Sequence, residues 1–340
     1  MINGHGDDLS NYTQPVRLNM SSNTLSDVYN EDLYDYLADI LQEVEHYPQA
    51  DASTLEALLA KRHQISPSQV CATSGATEAI YLLALMFRRS RTMILQPTFS
   101  EYQDACRLHE HELLHTYTLP TPSALAGVDM LWICNPNNPT GSVLSQKELK
   151  ELAEHCPHTT FVIDQSYEHF TLEPLFTAVE AAQLPNLLLL HSMTKQFCVP
   201  GLRLGYVTGS ESLIGQLRLM RMPWSINQIA MKAGEWLVGH EPDYDFDLPH
   251  LLSERERVAQ ELQRTGIVEV WPSQSHILLC QLRFGNAPAL KQWLMEEYGI
   301  LIRDASNFPT LTQQYFRIAV QQSSEDNDLF LDAFRQWIEE

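Results

Sequence analysis

The chain has 340 residues, of which 22 are Lys or Arg and 43 are Asp or Glu, so its formal net charge is −21. This acidic balance argues against a protein that binds nucleic acid or an anionic membrane, because both partners require a basic surface. Hydrophobic residues make up 44% of the chain, which is enough for a sizeable core, and the length allows two domains.

Three further features predict the compartment. No run of 18 apolar residues is long enough to span a membrane, and the N-terminus lacks the basic and apolar regions of a signal peptide. The six cysteines contain no CxxC pair, which is typical of reduced cytosolic thiols. We therefore expect a cytoplasmic protein with no structural metal.

Helical and extended patterns alternate between about residues 31 and 240. Amphipathic or strongly apolar runs predict helices at 55–60, 76–87 and 147–155. Apolar runs rich in β-formers predict strands at 92–95, 130–134, 160–163, 187–191 and 205–209. Strands that alternate with helices indicate an α/β fold with a mostly parallel sheet between two helical layers. We assign residues 31–240 to this large domain.

A polar stretch at 239–245 marks a candidate domain edge. Beyond it we predict a polar helix, strands near 277–280 and 315–320, and a closing amphipathic helix over 327–338. These elements predict a smaller α/β domain made of residues 241–340, which we expect residues 1–30 to join.

Polar residues follow directly on three predicted strands, namely Asn135, Asp164 and Ser192. Ligands of open α/β sheets bind beyond the carboxyl ends of the strands, so these residues are candidates for a site. Asp164 has two interpretations, a helix N-cap or a carboxylate paired with a buried cation such as a protonated ring nitrogen. Tyr167 lies three residues later and can present its phenol to the same ligand.

Lys195 stands in Ser192-Met193-Thr194-Lys195, immediately after a buried strand. It is either a lysine that extends from a strand end to solvent or an amine in apolar surroundings, with its pKa lowered for Schiff-base chemistry. Eight residues later, Arg203 lies between Gly201 and Gly205, an arrangement that lets the backbone approach an anion closely.

Two further segments admit both a structural and a functional interpretation. The stretch 135–141, Asn-Pro-Asn-Asn-Pro-Thr-Gly, is a rigid turn that is longer than an ordinary loop requires. The stretch 74–77, Ser-Gly-Ala-Thr, opens an apolar helix, so it is either a plain N-cap or an anion site.

Taken together, these segments in this order and spacing resemble the class I/II aminotransferases, which are pyridoxal-phosphate enzymes of fold type I. The resemblance covers nearly the whole chain. It implies pyridoxal 5′-phosphate as the cofactor, and a cofactor-binding set of Tyr47, Gly75, Ala76, Thr77, Tyr102, Asn138, Asp164, Tyr167, Ser192, Lys195 and Arg203.

The resemblance also implies a role for each of these residues. Lys195 would bond covalently to the cofactor and Asp164 would pair with its ring nitrogen, while Asn138 and Tyr167 would hydrogen-bond its phenolic oxygen. Lys195, Asp164 and Tyr167 are thus the expected catalytic residues.

The remaining positions of the set would hold the phosphate and the ring. Ser192, Arg203 and the backbone at 76–77 would hold the phosphate, and Tyr102 would stack on the ring. Tyr47 resembles a tyrosine that reaches the neighbouring subunit's phosphate, which implies a homodimer with shared active sites.

Further motifs narrow the resemblance. The segments Arg303-Asp304-Ala305-Ser306-Asn307-Phe308, 222–227 and 200–206 are similar to threonine-phosphate decarboxylases of cobalamin biosynthesis, which are relatives of histidinol-phosphate aminotransferases. The two arginines Arg303 and Arg317 either tie down surface loops or face a doubly anionic substrate. The resemblance implies a substrate-binding set of His5, Asn23, Asn138, Arg303 and Arg317.

The function implied is decarboxylation of L-threonine O-3-phosphate to (R)-1-amino-2-propanol O-2-phosphate, and the alternative is a histidinol-phosphate type of aminotransferase. A non-catalytic binding protein of the same fold is a third hypothesis, although such proteins usually lack the lysine or carry an added DNA-binding domain. The literal HExxH match at 111–115 has too many β-formers for the helix that a zinc site needs, so it predicts a strand.

Overall fold

The computed structural model describes residues 6–26, 28 and 30–339. We number strands and helices in chain order. The strands are β1 (Leu18–Asn19), β2 (Val70–Thr73), β3 (Arg91–Leu95), β4 (Glu112–Thr116), β5 (Met130–Cys134), β6 (Thr160–Asp164), β7 (Leu187–Ser192), β8 (Gly205–Gly209), β9 (Val268–Val270), β10 (Ile277–Leu282), β11 (Ile300–Leu301), β12 (Arg303–Asp304) and β13 (Tyr315–Ala319).

The helices alternate with these strands over most of the chain. They are α1 (Glu31–Asp39), α2 (Ser53–His63), α3 (Gly75–Met86), α4 (Glu101–Leu108), α5 (Gln146–His155), α6 (Ala178–Gln183), α7 (Met193–Gln196), α8 (Glu211–Met220), α9 (Gln228–Gly239), α10 (Leu248–Arg264), α11 (Ala287–Tyr298) and α12 (Ser324–Glu339). Within the described residues, no helix combines the length and apolarity that crossing a membrane requires.

The larger sheet, as described, has seven strands in the order β2-β8-β7-β6-β5-β3-β4. Five neighbouring strands run parallel to one another, namely β4, β3, β5, β6 and β7. Strand β8 is antiparallel to both of its neighbours, β7 and β2. The strands β5 and β6 are apolar along almost their whole length because helices cover both faces of the sheet. The expected α/β fold with a mostly parallel sheet is confirmed.

The smaller sheet is antiparallel, in the order β12-β13-β10-β9 among the described strands. The short strand β1 pairs in parallel with β11, so the N-terminal segment lies beside this sheet. The domain boundaries at about residues 30 and 240 stay a prediction.

Most predicted elements are confirmed, although several begin or end one to three residues away from the predicted bounds. Strand β2 has only four residues and no alternation, so the sequence pattern did not indicate it. Helix α12 begins at Ser324 instead of residue 327, because the Ser323 hydroxyl accepts a hydrogen bond from the Asp326 N–H at 3.1 Å and caps the helix. Strand β13 ends at Ala319, one residue earlier than predicted.

The HExxH segment forms strand β4, as predicted. His111 precedes this strand and is buried, with Nε2 donating to the Ala84 carbonyl at 2.8 Å and Nδ1 accepting from the Thr92 hydroxyl at 2.7 Å. These bonds fix a neutral imidazole inside the core, and burial lowers its pKa.

A buried carboxylate connects the helices around β2. Glu56 in α2 is 3% exposed; its Oε1 accepts from the Ala72 N–H at 3.0 Å and from Arg221 at 2.7 Å, and its Oε2 accepts from Arg218. Strand β2 leads directly into α3, so this network holds the start of α3 in place.

We expect Glu56→Ala to lower the free energy of unfolding by about 3 to 5 kcal/mol, because two guanidiniums lose their buried partner. Urea unfolding at fixed protein concentration measures the change. The control Glu154→Ala removes an exposed carboxylate on α5 and should change stability by less than about 0.5 kcal/mol. Equal stabilities for the two variants would contradict this account of the network.

Candidate active site

A cavity of about 250 Å³ lies at the carboxyl ends of β5, β6 and β7, where the two sheets approach each other. It brings together most of the residues that the sequence indicated. They are Asn23, Ala76, Thr77, Tyr102, Asn138, Asp164, Tyr167, Ser192, Lys195, Arg203, Arg303 and Arg317.

Lys195 lies in the short helix α7, immediately after β7, and is half-buried. Its Nζ donates a hydrogen bond to the Ser22 carbonyl at 3.2 Å. Burial, together with the positive charges of Arg317 and Arg203, lowers the pKa of Lys195 to about 8. A substantial share of this amine is therefore neutral, and so nucleophilic, at mildly alkaline pH.

Asp164 is the last residue of β6 and is 4% exposed. It accepts hydrogen bonds from the Ser166 N–H at 2.8 Å and from the Tyr102 hydroxyl at 2.7 Å. Burial nevertheless raises its pKa, because those bonds only partly offset the desolvation of the carboxylate. A cation beside Asp164 would stabilise its charged form.

Tyr102 has different neighbours from those expected. Its ring stacks on Trp132, with centroids 4.8 Å apart and planes 9° apart, and its hydroxyl is engaged with Asp164. The aromatic ring that is half-buried at the cavity wall is Phe99, in the same segment. The sequence analysis missed Phe99, although its position three residues before Tyr102 was a usable signal. Stacking of Tyr102 on a cofactor ring stays a prediction.

Two hydrogen bonds orient the polar groups opposite Asp164. The Asn138 Oδ1 accepts from Arg317 at 2.7 Å, so the amide nitrogen of Asn138 is left as the donor that can serve a ligand. The Tyr167 hydroxyl accepts from the Asn23 Nδ2 at 2.8 Å, which leaves its own proton available for donation.

Close backbone packing shapes an anion site at the N-terminus of α3. Gly75 has φ +76°, and a Cβ at this position would lie 2.7 Å from Nη2 of Arg203. A Cβ at Gly205 would lie 2.6 Å from the backbone nitrogen of Ala76. Both glycines are thus needed for the Arg203 guanidinium to lie against the helix start, where free N–H groups attract anions. Gly75 itself does not line the cavity.

Arg303 and Arg317 form the opposite wall. They are direct partners across the antiparallel strands β12 and β13, so both side chains project from the same face. Burial lowers the pKa of Arg303 to about 10, and burial with repulsion from Arg303 lowers the pKa of Arg317 to about 9. Among the described residues, no carboxylate forms an ion pair with Arg317.

One predicted residue lies away from the cavity, and another falls outside the described part of the chain. Tyr47 is 86% exposed, with its ring 5.6 Å from that of Trp224, outside the cavity. His5 lies outside the described residues. The sequence analysis also missed the carbonyls of Ser21 and Ser22, which accept from Arg317 and Lys195, because backbone acceptors leave no sequence signal.

Comparison with known proteins agrees with this geometry. The family model for aminotransferase class I and II matches residues 17–334. The threonine-phosphate decarboxylase of Salmonella typhimurium is 30% identical over 312 residues, which is 88% of this chain and 85% of the relative. A histidinol-phosphate aminotransferase of Ruminiclostridium cellulolyticum is 25% identical over 343 residues, 94% of this chain and 92% of the relative.

Solved structures are similar over the same extent. The L-threonine-O-3-phosphate decarboxylase from Porphyromonas gingivalis has a TM-score of 0.91 and 34% identity, covering 95% of this chain and 100% of that chain. The histidinol-phosphate aminotransferase from Sinorhizobium meliloti in complex with pyridoxal-5′-phosphate has a TM-score of 0.82 at 16% identity. The match covers 96% of this chain and 92% of that chain. The second comparison shows the fold alone.

We expect the Lys195 amine of the cofactor-free protein to react with acetic anhydride with a midpoint near pH 8. Lysine in a model peptide has a pKa of about 10.4, and burial with two nearby guanidiniums lowers that of Lys195. Mass spectrometry of the acetylated peptide across pH 6–11 gives the midpoint.

The variant Arg317→Met tests whether the charge of Arg317 helps to lower the pKa of Lys195. It removes a positive charge that disfavours the ammonium form, so the midpoint should move upward. A wild-type midpoint near 10, or a downward shift in the variant, would contradict the assignment.

Proposed function

The chain belongs to the class I and II aminotransferase family, and from that premise we propose that it decarboxylates L-threonine O-3-phosphate to (R)-1-amino-2-propanol O-2-phosphate, with pyridoxal phosphate as cofactor. The observation that carries the proposal is the cross-strand pair Arg303–Arg317 in one cavity with Lys195. Like charges directly opposite each other destabilise a sheet, and among the described residues the partners of Arg317 are neutral oxygens, so an anion beside it would stabilise the pair. A substrate with both a phosphate and a carboxylate meets that requirement.

The described residues fit the cofactor. The cradle formed by Gly75, Ala76 and Arg203 suits a phosphate, and the buried Asp164 suits a protonated ring nitrogen. Within the part of the chain that the structure describes, the buried Oδ1 of Asn23 has no hydrogen-bond partner, as expected in a cavity that a polar ligand fills. Ser192, Asn138 and Tyr167 would complete the set, and Lys195 would bind the cofactor covalently.

When bound, pyridoxal phosphate supplies a conjugated ring that accepts the electron pair left on a substrate carbon as a substituent departs. Asp164 would hold a proton on the ring nitrogen, which makes the ring a stronger electron acceptor. Arg203, Ser192 and the N-terminus of α3 would fix the orientation and contribute no chemistry of their own.

Lys195 would carry the proton that replaces the lost carboxyl group. Decarboxylation breaks one carbon–carbon bond, releases CO₂ and requires one proton at the same carbon. The Lys195 Nζ lies at the cavity wall, and its lowered pKa suits both acceptance and donation of a proton near neutral pH.

The positions of the arginines would decide which bond breaks. A decarboxylase would have to hold the substrate so that the bond to its carboxylate, and not the bond to its hydrogen, is the one that the cofactor's ring weakens. Arg317 is held by Asn138 and by the Ser21 carbonyl, and Arg303 by Asn307 at 2.6 Å, so both guanidiniums are fixed before a ligand arrives.

A histidinol-phosphate type of aminotransferase is the second candidate. The similarity to the enzyme of Ruminiclostridium cellulolyticum over 94% of the chain favours it, and such a reaction would use the same lysine. A non-catalytic binding protein is less consistent with the site, because Lys195 and Asp164 both face the cavity.

We expect the holoenzyme to release ¹³CO₂ from carboxyl-labelled L-threonine O-3-phosphate over many turnovers without any keto acid. The reason is that the two arginines bind the two anionic groups and Lys195 returns the proton. Mass spectrometry of the headspace gas measures the release.

Two controls make this assay specific. Lys195→Ala should abolish turnover, and unphosphorylated L-threonine should react at least about 100-fold more slowly, since it leaves one buried arginine without its anion. Amine production that depends on a keto acid, without CO₂, would overturn the decarboxylase in favour of the aminotransferase.

We also propose a homodimer whose second copy covers an apolar patch formed by Leu41, Val44, Tyr47, Met222 and Trp224. Each of these side chains is more than half exposed, and Tyr47 packs on Trp224. A cluster of large apolar side chains is unusual on a monomer's surface. The patch includes Tyr47, whose expected role is at the neighbouring subunit's phosphate.

We expect Trp224→Glu to shift the protein toward monomer, because it places a charge in a buried interface. Light scattering after size-exclusion chromatography measures the mass. The control Tyr117→Glu changes an aromatic residue that is 61% exposed elsewhere and should leave the mass unchanged. A wild-type monomer at micromolar concentration would count against the dimer.

Two coarser proposals concern organisation and location. Lys195 and Asp164 belong to residues 31–240, whereas Arg303 and Arg317 belong to the C-terminal part, which supports a large cofactor-binding domain and a small domain that closes on the substrate. All six cysteines are free thiols, and five are buried, which supports a cytoplasmic location.

A further inference from the structure

We propose that Gln321 is a positioning residue for substrate binding. It fixes residues 21–26, here called the wall turn, of which residues 21–23 line the cavity, whereas Gln321 itself does not. This inference rests on the proposed function, since it concerns how the same cavity receives its substrate.

The wall turn contacts the active site at three consecutive residues. The Ser21 carbonyl accepts from Arg317, the Ser22 carbonyl accepts from Lys195 at 3.2 Å, and the Asn23 amide donates to Tyr167 at 2.8 Å. One short segment therefore touches the substrate arginine, the reactive lysine and the phenol.

The backbone of the wall turn is left-handed at one residue. Asn23 has φ +59°, in a region that Asn adopts more readily than most residues other than glycine. Asn23 is also 4% exposed, so this conformation lies against the cavity and not at a free surface. Its place in the cavity wall therefore depends on how the far end of the turn is held.

Gln321 provides that hold. It is fully buried two residues beyond β13, and its Oε1 accepts a hydrogen bond from the Ser26 N–H at 2.7 Å. Its Nε2 donates to the Ala319 carbonyl at 2.9 Å, which fixes the side chain to the end of β13. The strand that carries Arg317 thus also carries the anchor of the wall turn.

A buried network holds Gln321 in turn. The Asn327 side chain accepts from the Gln321 N–H at 3.0 Å and donates to the Gln321 carbonyl at 2.8 Å. Asn327 also donates to Glu254 of α10 at 3.0 Å. A second link, from the Ser26 hydroxyl to Asp326 at 3.0 Å, is exposed and therefore weaker.

Loss of the hydrogen bond between Gln321 and Ser26 should lower the affinity for the substrate more than the affinity for the cofactor. A released turn must be ordered again when the substrate binds, and that ordering lowers the substrate's affinity. The proposed phosphate cradle lies on α3 and at Arg203, and the hydrogen bonds of Gln321 to described residues go to other parts of the chain. A residue that merely stabilised the fold would not separate the two affinities.

The test compares Gln321→Met with Gln281→Met. Methionine keeps the length of glutamine but cannot make its hydrogen bonds, and Gln281 lies on β10 of the same sheet, away from the wall turn. We expect Gln321→Met to speed hydrogen–deuterium exchange in peptides covering 21–26 by about tenfold, and to raise KM for L-threonine O-3-phosphate by about tenfold. The value of kcat and the affinity for pyridoxal phosphate should stay within about twofold of wild type, and Gln281→Met should change none of the four quantities.

Unchanged exchange in the wall turn would overturn the proposal, as would equal losses of substrate and cofactor affinity. If Gln321→Met does not fold, Ser26→Pro decides, because it removes, at an exposed residue, the N–H that donates to Gln321. Ser26→Ala, which keeps that N–H and loses only the hydroxyl bonded to Asp326, is its control. Ser26→Pro should raise KM and exchange by about tenfold, and changes no larger than those of Ser26→Ala would overturn the proposal. The exchange measurement needs no turnover, so faster exchange in a protein that releases no CO₂ would refute the proposed function and leave this inference standing.

Discussion

The pairing of Arg303 with Arg317 is the constraint on which the site depends. Two guanidiniums stand opposite each other on neighbouring strands, and both side chains are buried. The bonds of Arg317 go to the neutral oxygens of Asn138 and Ser21, so its charge is solvated but not neutralised. The two guanidiniums repel each other at the wall of a cavity. An anion bound in that cavity would reduce the repulsion. The net charge of −21 opposes this local positive field, and burial reduces the screening of that field by salt.

The parallel sheet supplies the other half of the site, and that half was predictable. The apolar runs of β5, β6 and β7 indicated buried strands, and the rule on carboxyl ends placed Asp164 and Ser192 at one edge. Asn135 also follows a strand end, but its side-chain amide hydrogen-bonds to the backbone of Leu144 and so stabilises the loop. The sequence therefore predicted which edge of the sheet carries the site, but not the role of every residue at that edge. Lys195 follows β7 within one turn of helix, so its place was fixed locally.

Contacts between distant segments were not predictable in the same way. The partner of the Tyr102 hydroxyl depends on how α4 packs against β6, 62 residues away along the chain. The opposition of Arg303 and Arg317 depends on strand register, and a shift of one residue would turn one guanidinium to the other face. The wall turn joins residues almost 300 positions apart through Gln321 and Ser26. No local pattern encodes such pairs, because each is set by packing.

The cavity is polarised, and this polarity selects its ligand. Asp164 stands at the end of β6 with a raised pKa, whereas Arg203, Arg303 and Arg317 place positive charge on the other sides. A purely anionic ligand would leave Asp164 buried without a cation, and a cationic one would meet the arginines. A ligand set with a positive ring nitrogen at one end and phosphate and carboxylate groups elsewhere would match Asp164 and the three arginines. Cofactor and substrate would thus be recognised as complementary halves of one charge pattern, and Lys195, whose amine has a pKa lowered to about 8, lines the same cavity.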